Sequence, residues 1–272
     1  SQSSRNGKGD DRWSLLKKFG ALIHETKPDM VTMENVPQLL KHEVFDSFLD
    51  YLEGYSVAYG IVECENYSIP QTRKRLVLIA SKISVVTFQD ILDQRSSEKA
   101  TVKKTIGHLE KIEAGQGSAE DPIHMSPRLS PLNYKRIKVS KPGGTWRDWD
   151  EKLRANCHKK ESGATYPSVY GRMDWDKPSP TITTQCFGYG NGRFGHPEQN
   201  RAISLREAAI LQSFPDDYIF LKPSEKPRFS AIGRLIGNAV PVKVGEIVGN
   251  ALVKSIERSG IVNLSNHIEN QS

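Results

Sequence analysis

Cysteine is scarce in this chain of 272 residues: Cys64, Cys157 and Cys186 are an odd number without a C-x-x-C pair. Neither a disulfide framework nor a zinc knuckle is indicated by that pattern. Cys157 and His158 are neighbours, but further ligands at metal spacing are missing, so no metal is expected. No apolar run comes near the roughly 20 residues a membrane helix needs. The opening Ser1-Gln2-Ser3-Ser4-Arg5-Asn6-Gly7-Lys8 lacks the apolar core of a signal peptide. Together these absences predict a soluble, cytoplasmic chain with reduced thiols and no membrane contact. A formal G-x-G-x-x-G is present at Gly190, Gly192 and Gly195, yet His196-Pro197 follows where a dinucleotide fingerprint must open a helix. That excludes a nicotinamide-type site and leaves the expectation of a mobile glycine loop that offers Arg193 to a phosphate.

With 37% hydrophobic residues, the chain can bury a substantial core as one large domain or two smaller ones. Its formal charge of +6 and pI near 9.1 point toward an anionic partner. From His124 to Arg147 there is no acidic residue, whereas Arg128, Lys135, Arg136, Lys138, Lys141 and Arg147 occur there with Tyr134 and Trp146 among them. A solvated basic face has this composition, and so does a surface that tracks phosphates and touches bases.

Helical spacing of Trp13, Leu16, Phe19 and Ile23 predicts a helix over residues 11–26, with Asp10 or Asp11 as its N-cap and Pro28 beyond its end. Met30, Val31 and Met33 then suit a buried strand that stops on Glu34, Asn35 and Pro37. The carboxyl end of such a strand is where open α/β sheets bind ligands. Pro37 can start a second helix with Leu40, Val44, Phe48, Leu49 and Leu52 on one face, closed by Gly54. Strands over 55–64 and 75–80 follow, and their connection is too short for a crossover helix, so they should pair antiparallel. The expected fold class is α/β: the tail of a mostly parallel sheet with a terminal antiparallel hairpin.

Beyond about residue 81 periodicity weakens and Gly and Pro rise, which suggests a separate, irregular, β-rich region. Ser204-Leu205-Arg206-Glu207 has capping-box spacing. Ile236-Gly237-Asn238-Ala239-Val240-Pro241 reads as a helix stop, a turn and a proline start, and a helix with Val244, Ile247, Val248, Ala251 and Leu252 on one face follows.

Four fragments in order, Glu34-Asn35-Val36, Gln71-Thr72-Arg73-Lys74-Arg75, Arg206-Glu207-Ala208-Ala209 continuing through Gln212 to Phe214-Pro215-Asp216, and Gly237-Asn238-Ala239-Val240-Pro241, resemble the DNA (cytosine-5)-methyltransferase family. Tyr170-Gly171-Arg172-Met173 and Pro180-Thr181-Ile182-Thr183 look like the approach to its penultimate motif. The resemblance implies a Rossmann-like S-adenosylmethionine-dependent methyltransferase fold, with residues 1–80 as the carboxyl-terminal part of a catalytic domain and 81–230 as a target-recognition domain. Residues 231–260 would be a helix returning to the catalytic domain, and 261–272 a flexible tail.

The family flips a cytosine out of duplex DNA, adds a cysteine thiolate at C6, and methylates C5 from S-adenosylmethionine. Addition at C6 moves electron density onto N3 and O2. The resemblance gives Glu34 the task of holding N3 and the exocyclic amine and letting N3 become protonated. It places Arg75 at the cytosine O2 side, Arg73 at a nearby phosphate, and Asn238 at the methionine part of the cofactor. Asn35 would brace the turn that aims Glu34, and Arg206 and Glu207 would be structural. Of the basic residues, Arg128, Arg136, Arg147, Arg154 and Arg193 are candidates for double-stranded DNA, with lysines on phosphates and arginines on guanines.

Two family features are not matched: the glycine-rich cofactor loop and the Pro-Cys-Gln nucleophile loop, both of which precede Glu-Asn-Val. Ser1 to Asn6 look like the residues just after that nucleophile loop. The resemblance therefore covers the carboxyl-terminal two-thirds of such an enzyme, of restriction-modification type, and implies an upstream chain or segment that supplies the cysteine. The alternative is a catalytically silent, sequence-specific DNA-binding or regulatory chain derived from such an enzyme.

Overall fold

In the computed structural model, residues 11–260 are described, apart from 161, 162, 164, 166 and 223. The expected Asp10 cap, the segment Ser1 to Asn6, the Trp13 side chain and the tail beyond Gly260 lie outside what is described. Along the chain the order is α1 (Asp11–Thr26), β1 (Met30–Asn35), α2 (Glu43–Leu49), β2 (Ser56–Glu63), β3 (Gln71–Thr72), β4 (Lys74–Ser81), α3 (Gln89–Leu92), α4 (Val102–Ile106), α5 (Pro131–Val139), β5 (Ser179–Pro180), α6 (Leu205–Leu211), α7 (Phe229–Asn238) and α8 (Val242–Ser259). The chain forms two compact units, one from residues up to Glu63, Lys74–Arg95 and Glu246 onward, the other from Cys64–Arg73 and Ser96–Gly245.

In the first unit β4 is the centre of a three-stranded sheet. Its run Leu76-Val77-Leu78-Ile79-Ala80 is almost fully buried, as a strand covered on both faces must be. It pairs antiparallel with β2, from Ser56↔Ser81 to Glu63↔Lys74, and antiparallel with β1, from Met30↔Ser81 to Asn35↔Leu76. The expected β2–β4 pairing is present. The mostly parallel sheet is not: β4 inserts between β1 and β2, so both pairings in this three-stranded sheet are antiparallel.

Helices α1 and α2 cover one face of this sheet, where Leu16, Ile23, Val44, Phe45 and Phe48 meet Val31, Met33, Leu76 and Leu78, and Phe19 stacks on Phe48 at 5.7 Å. The second helix is broken where one continuous helix was expected. Pro37–Lys41 is a 3-10 turn, and the α-helix restarts after His42, whose Nδ1 accepts the Val44 N–H at 3.3 Å. Gly54 takes φ +81° before β2, the left-handed conformation a helix stop favours. From Glu246 onward α8 joins this unit: Ser255 and Ser84 hydroxyls meet at 2.8 Å, and Arg258 forks onto Asp90 at 2.8 and 3.0 Å. Arg258 foremost, with Thr87 and Lys254, holds the Asp90 carboxyl well below the usual carboxylate range despite its burial.

The second unit is irregular, as expected, but it is not β-rich. Its named strands are β3 and β5, two residues each and paired in parallel. The basic stretch forms α5 because Ser130 caps it, accepting the Asn133 N–H, and Pro131 occupies its first turn. Side chains donating to distant carbonyls replace a sheet ladder. Arg172, 4% exposed, donates to the carbonyls of Ile137, Ser140, His196 and Gln199 and to Asn200 Oδ1. Buried Arg201 forks onto buried Glu207 at 2.7 and 2.6 Å, and Glu207 also closes the capping box of α6 with Ser204. An apolar core around Ile123, Met173, Ile182, Phe194, Leu205 and Ile236 lies beside α6 and α7.

Candidate functional site

Glu34 is the penultimate residue of β1, opposite Val77, and Arg75 enters β4 opposite Val62. Adjacent strands thus bring the two side chains together: Arg75 Nε lies 2.5 Å from Glu34 Oε1, with side chains 15% and 25% exposed. The contact is an ion pair rather than an aligned hydrogen bond, since Glu34 Oε1 is itself shielded from solvent and has no hydrogen-bond partner. Arg75 Nη1 donates to the Lys74 carbonyl at 2.8 Å, which fixes its fork. Asn35 Oδ1 accepts the Val36 N–H at 2.8 Å. That bond braces the extended Val36 before Pro37, the conformation a pre-proline residue favours. A carboxylate with unspent acceptor capacity therefore stands beside a guanidinium at a half-buried strand end. Such a pair can receive a ligand that offers both N–H donors and a carbonyl oxygen.

Arg73 belongs to the second unit and is not brought to a surface. It is 6% exposed, and its Nη1 donates to the Ile182 carbonyl at 3.1 Å. The expected phosphate contact is replaced by a structural one, because the whole segment from Gln71 is threaded against residues 179–182. Gln71, fully buried, accepts the Ile182 N–H and donates to Leu211 O and Gln212 Oε1 at 3.2 and 2.6 Å; Gln212 in turn donates to Ala239 O. These two glutamines organise the second unit and were not singled out from the sequence. Both lie in the quoted motifs, but partners more than a hundred residues away leave no local signal.

Asn238 ends α7 with an exposed side chain that makes no hydrogen bond among the described residues. The preceding Gly237 lies so close to the Thr183–Thr184 backbone that an added Cβ would sit 2.2 Å from it.

The five candidate DNA arginines divide sharply. Arg136 is buried and donates to Leu153 O and Asn133 Oδ1. Arg154 donates to Trp149 O and Arg147 O. Arg193 is half-buried, donates to Gly144 O and Arg172 O, and burial lowers its guanidinium pKa; it is not held out to a phosphate, and the loop carrying it is pinned. Arg147 is exposed above the Trp146 ring, 5.7 Å from its centroid. Arg128 is exposed and no hydrogen bond or ion pair holds it among the described residues.

None of the cysteines is placed as a nucleophile. Cys64 and Cys186 are fully buried, and burial pushes the Cys186 thiol up to about 12; Cys157 is exposed but stands in the irregular stretch after α5. Among the described residues no cluster of His, Cys, Asp and Glu is placed to hold a metal, and no helix is long and apolar enough to cross a membrane. A cavity of about 790 Å³ in the first unit is lined by Lys17, His24, Lys27, Asp50, Tyr55 and Lys82 among others. Its lining comes from α1 and Lys27 just beyond it, the residues from Ser47 to Tyr55 and Lys82 just after β4, and does not include Glu34; Lys27 there suits the negative end of the α1 dipole.

The sequence profile of C-5 cytosine-specific DNA methylases matches residues 1–254. The chain is 49% identical over 263 residues to the Type II methylase M.HgiDII of Herpetosiphon aurantiacus, covering 94% of this chain and 73% of that protein. It is 31% identical over 251 residues to the Type II methyltransferase M1.HphI of Haemophilus parahaemolyticus, covering 90% of this chain and 62% of that one. The crystal structure of a protein described as a DNA modification methyltransferase encoded within a prophage (E. coli) superposes with a TM-score of 0.68 at 19% identity, over 91% of this chain and 75% of that chain; at that identity the likeness speaks for the fold.

Proposed function

We propose a function from one premise: the chain belongs to the C-5 cytosine-specific DNA methylase family. The function is methyl transfer to C5 of a flipped cytosine in a specific duplex DNA sequence, as the modification enzyme of a bacterial restriction-modification system acting in the cytoplasm. The observation that carries it is the Glu34–Arg75 pair: an acceptor oxygen without a hydrogen bond, 2.5 Å from a fixed guanidinium, at a half-buried strand end. Cytosine offers the complementary edge. Its exocyclic amine and a protonated N3 would donate to Glu34, and its O2 would accept from Arg75 as electron density moves there. Exchanging the ion pair for two substrate contacts leaves neither group unsatisfied.

Asn238 has an exposed amide with hydrogen-bonding capacity to spare, which fits one polar contact to the methionine part of S-adenosylmethionine. That cofactor, when bound, supplies the methyl group. In this reading the nucleophilic thiolate comes from an upstream chain or segment, since the three cysteines here are buried or misplaced. The first unit is the carboxyl-terminal part of the catalytic domain, and the second holds target recognition.

The protein together with its upstream segment should transfer tritium from methyl-labelled S-adenosylmethionine to duplex DNA. Glu34→Gln keeps the shape but loses the carboxylate, and should lower the single-turnover rate about 100-fold or more, the range of a general acid–base contribution. DNA affinity should hold within about twofold, because the flipped base contributes little of the phosphate-driven binding. Full methylation activity in Glu34→Gln would remove the role assigned to this carboxylate.

A further inference from the structure

The second unit has a groove of about 570 Å³ between the loop at Gly115 to Ala119 and the segment at Pro122 to Arg128, closed by Pro227 and Phe229. The groove is built on a narrow two-stranded ribbon. Gly117 and Met125 form an antiparallel bridge, and Gly115 N–H donates to Ser126 O, Ser126 N–H to Gln116 O and Ser118 N–H to His124 O. Glycine is needed for the close approach: Gly115 takes φ +86°, and a Cβ there would lie 3.2 Å from Arg128 Cβ; a Cβ on Gly117 would lie 3.0 Å from Met125 Cβ. The ribbon is anchored from beneath. Ser126 donates to Ala202 O, and His124 joins Ser204 Oγ and Glu110 O, each at 2.9 Å.

Two exposed polar side chains line this rigid platform, Arg128 and Gln116, and neither makes a side-chain hydrogen bond among the described residues. No carboxylate lines the groove. Its rim is of mixed charge: the loop carries Glu113, Glu120 and Asp121, of which Asp121 is held by Arg206, while exposed Lys226 and Arg228 flank Pro227. Within the groove itself Arg128 is the one charged side chain among the lining residues. A two-stranded ribbon is one of the two shapes the DNA major groove admits, and a free guanidinium fork matches guanine O6 and N7.

From this geometry we infer that Arg128 is a specificity-determining residue, which reads a guanine of the recognised duplex in the major groove. The inference rests on the enzymatic reading above and adds to it the particular residue that selects sequence. Of the five arginines that the sequence offered for DNA, four are engaged by carbonyls, an amide or a ring, and Arg128 is the one left with its donors unspent among the described residues.

The test uses the protein with its upstream segment on a duplex DNA library of random sequence, with methylated cytosines located by sequencing. Wild type should yield a consensus. In Arg128→Ala that consensus should persist except at one G·C pair, where discrimination falls by about tenfold to a hundredfold, the worth of a bidentate base contact. Arg128→Lys should retain part of it, and thermal unfolding should not move, since the side chain makes no internal hydrogen bond. An unchanged consensus overturns the proposal. So does a uniform fall across all sequences with a weaker salt dependence, which would mark a phosphate contact. If wild type methylates no sequence, the enzymatic reading fails first and takes this proposal with it; a methylating wild type with an indifferent Arg128→Ala leaves that reading standing and removes only the role of Arg128.

Discussion

Single residues in the second unit carry charges where solvent cannot reach, and this makes stability sensitive to acid. Burial pushes the His196 imidazole down to about 4 from 6.5, opposed by Glu207 and reinforced by Arg201, Arg172 and His124. Its Nδ1 accepts the N–H groups of Glu198 and Gln199 at 3.1 and 2.9 Å, a role only the neutral ring can fill. A folded-state pKa below the unfolded one means that the unfolded chain takes up the proton first. Stability therefore falls as pH drops below 6.5 and levels off only below about 4, a loss of about 3 kcal/mol at most by linkage. Glu207 acts in the same direction at lower pH. Burial alone would raise its pKa, but the Arg201 fork outweighs burial and the net shift is downward, so its contribution is present above the usual carboxylate range and is lost as pH falls through it. Urea unfolding of the protein at pH 7, 5.5 and 4.5 should show the midpoint dropping already at 5.5. His196→Asn should flatten the upper part of that drop. A wild-type midpoint that does not change down to pH 4.5 would contradict the assignment.

At the scale of elements, two glycines in neighbouring helices make opposite predictions. An alanine Cβ at Gly237 in α7 would lie 2.2 Å from backbone atoms of Thr183 and Thr184, which cannot rotate away. Gly237→Ala should cost about 3 kcal/mol, the upper end of ordinary overpacking. Gly249 in α8 has nothing within 4 Å of its ideal Cβ, and Gly249→Ala should stabilise by about 0.5–1 kcal/mol through helix propensity. Chemical denaturation of both variants decides the pair, and equal effects would mean that α7 packs more loosely than described. The same elements show what sequence can and cannot reveal. Helix α1, the β2–β4 pairing and the α6 capping box follow from local spacing and are found at or near the expected residues. The insertion of β4 between β1 and β2 depends on pairing between strands some forty residues apart, which periodicity does not encode. Helix α5 is obscured by Lys135, Arg136 and Lys138, although Ser130-Pro131 is a usable start signal. Glu34 and Arg75 could be named from motif order, yet the burial of Arg73, Arg136 and Arg193 against remote carbonyls could not, because an arginine bound to a carbonyl and one facing solvent look alike in sequence.

Across the whole molecule, the formal charge of +6 says less than where the charges are free. Many of the arginines in the basic region are committed to holding the irregular unit together, which leaves the lysines as the mobile positive layer. Lys135, Lys138 and Lys141 are all exposed, on or just after α5, within a stretch that has no acidic residue from His124 to Arg147. Lysine is a compact, strongly hydrated charge that suits a phosphate and carries little sequence information. Neutralising each phosphate contact changes the slope of log K against log salt by about 0.9. The triple change Lys135→Ala, Lys138→Ala and Lys141→Ala should therefore weaken binding alike on every duplex and lower that slope by about 3, while the consensus of methylated sites stays as in wild type. Fluorescence anisotropy with two unrelated duplexes between about 50 and 200 mM salt, the range over which counterion release is steep, measures both quantities. An unchanged slope would place the phosphate track elsewhere on the protein. A changed consensus would mean that positioning and base reading are not divided between the exposed lysines on and just after α5 and Arg128, whose groove is lined by no other charged residue.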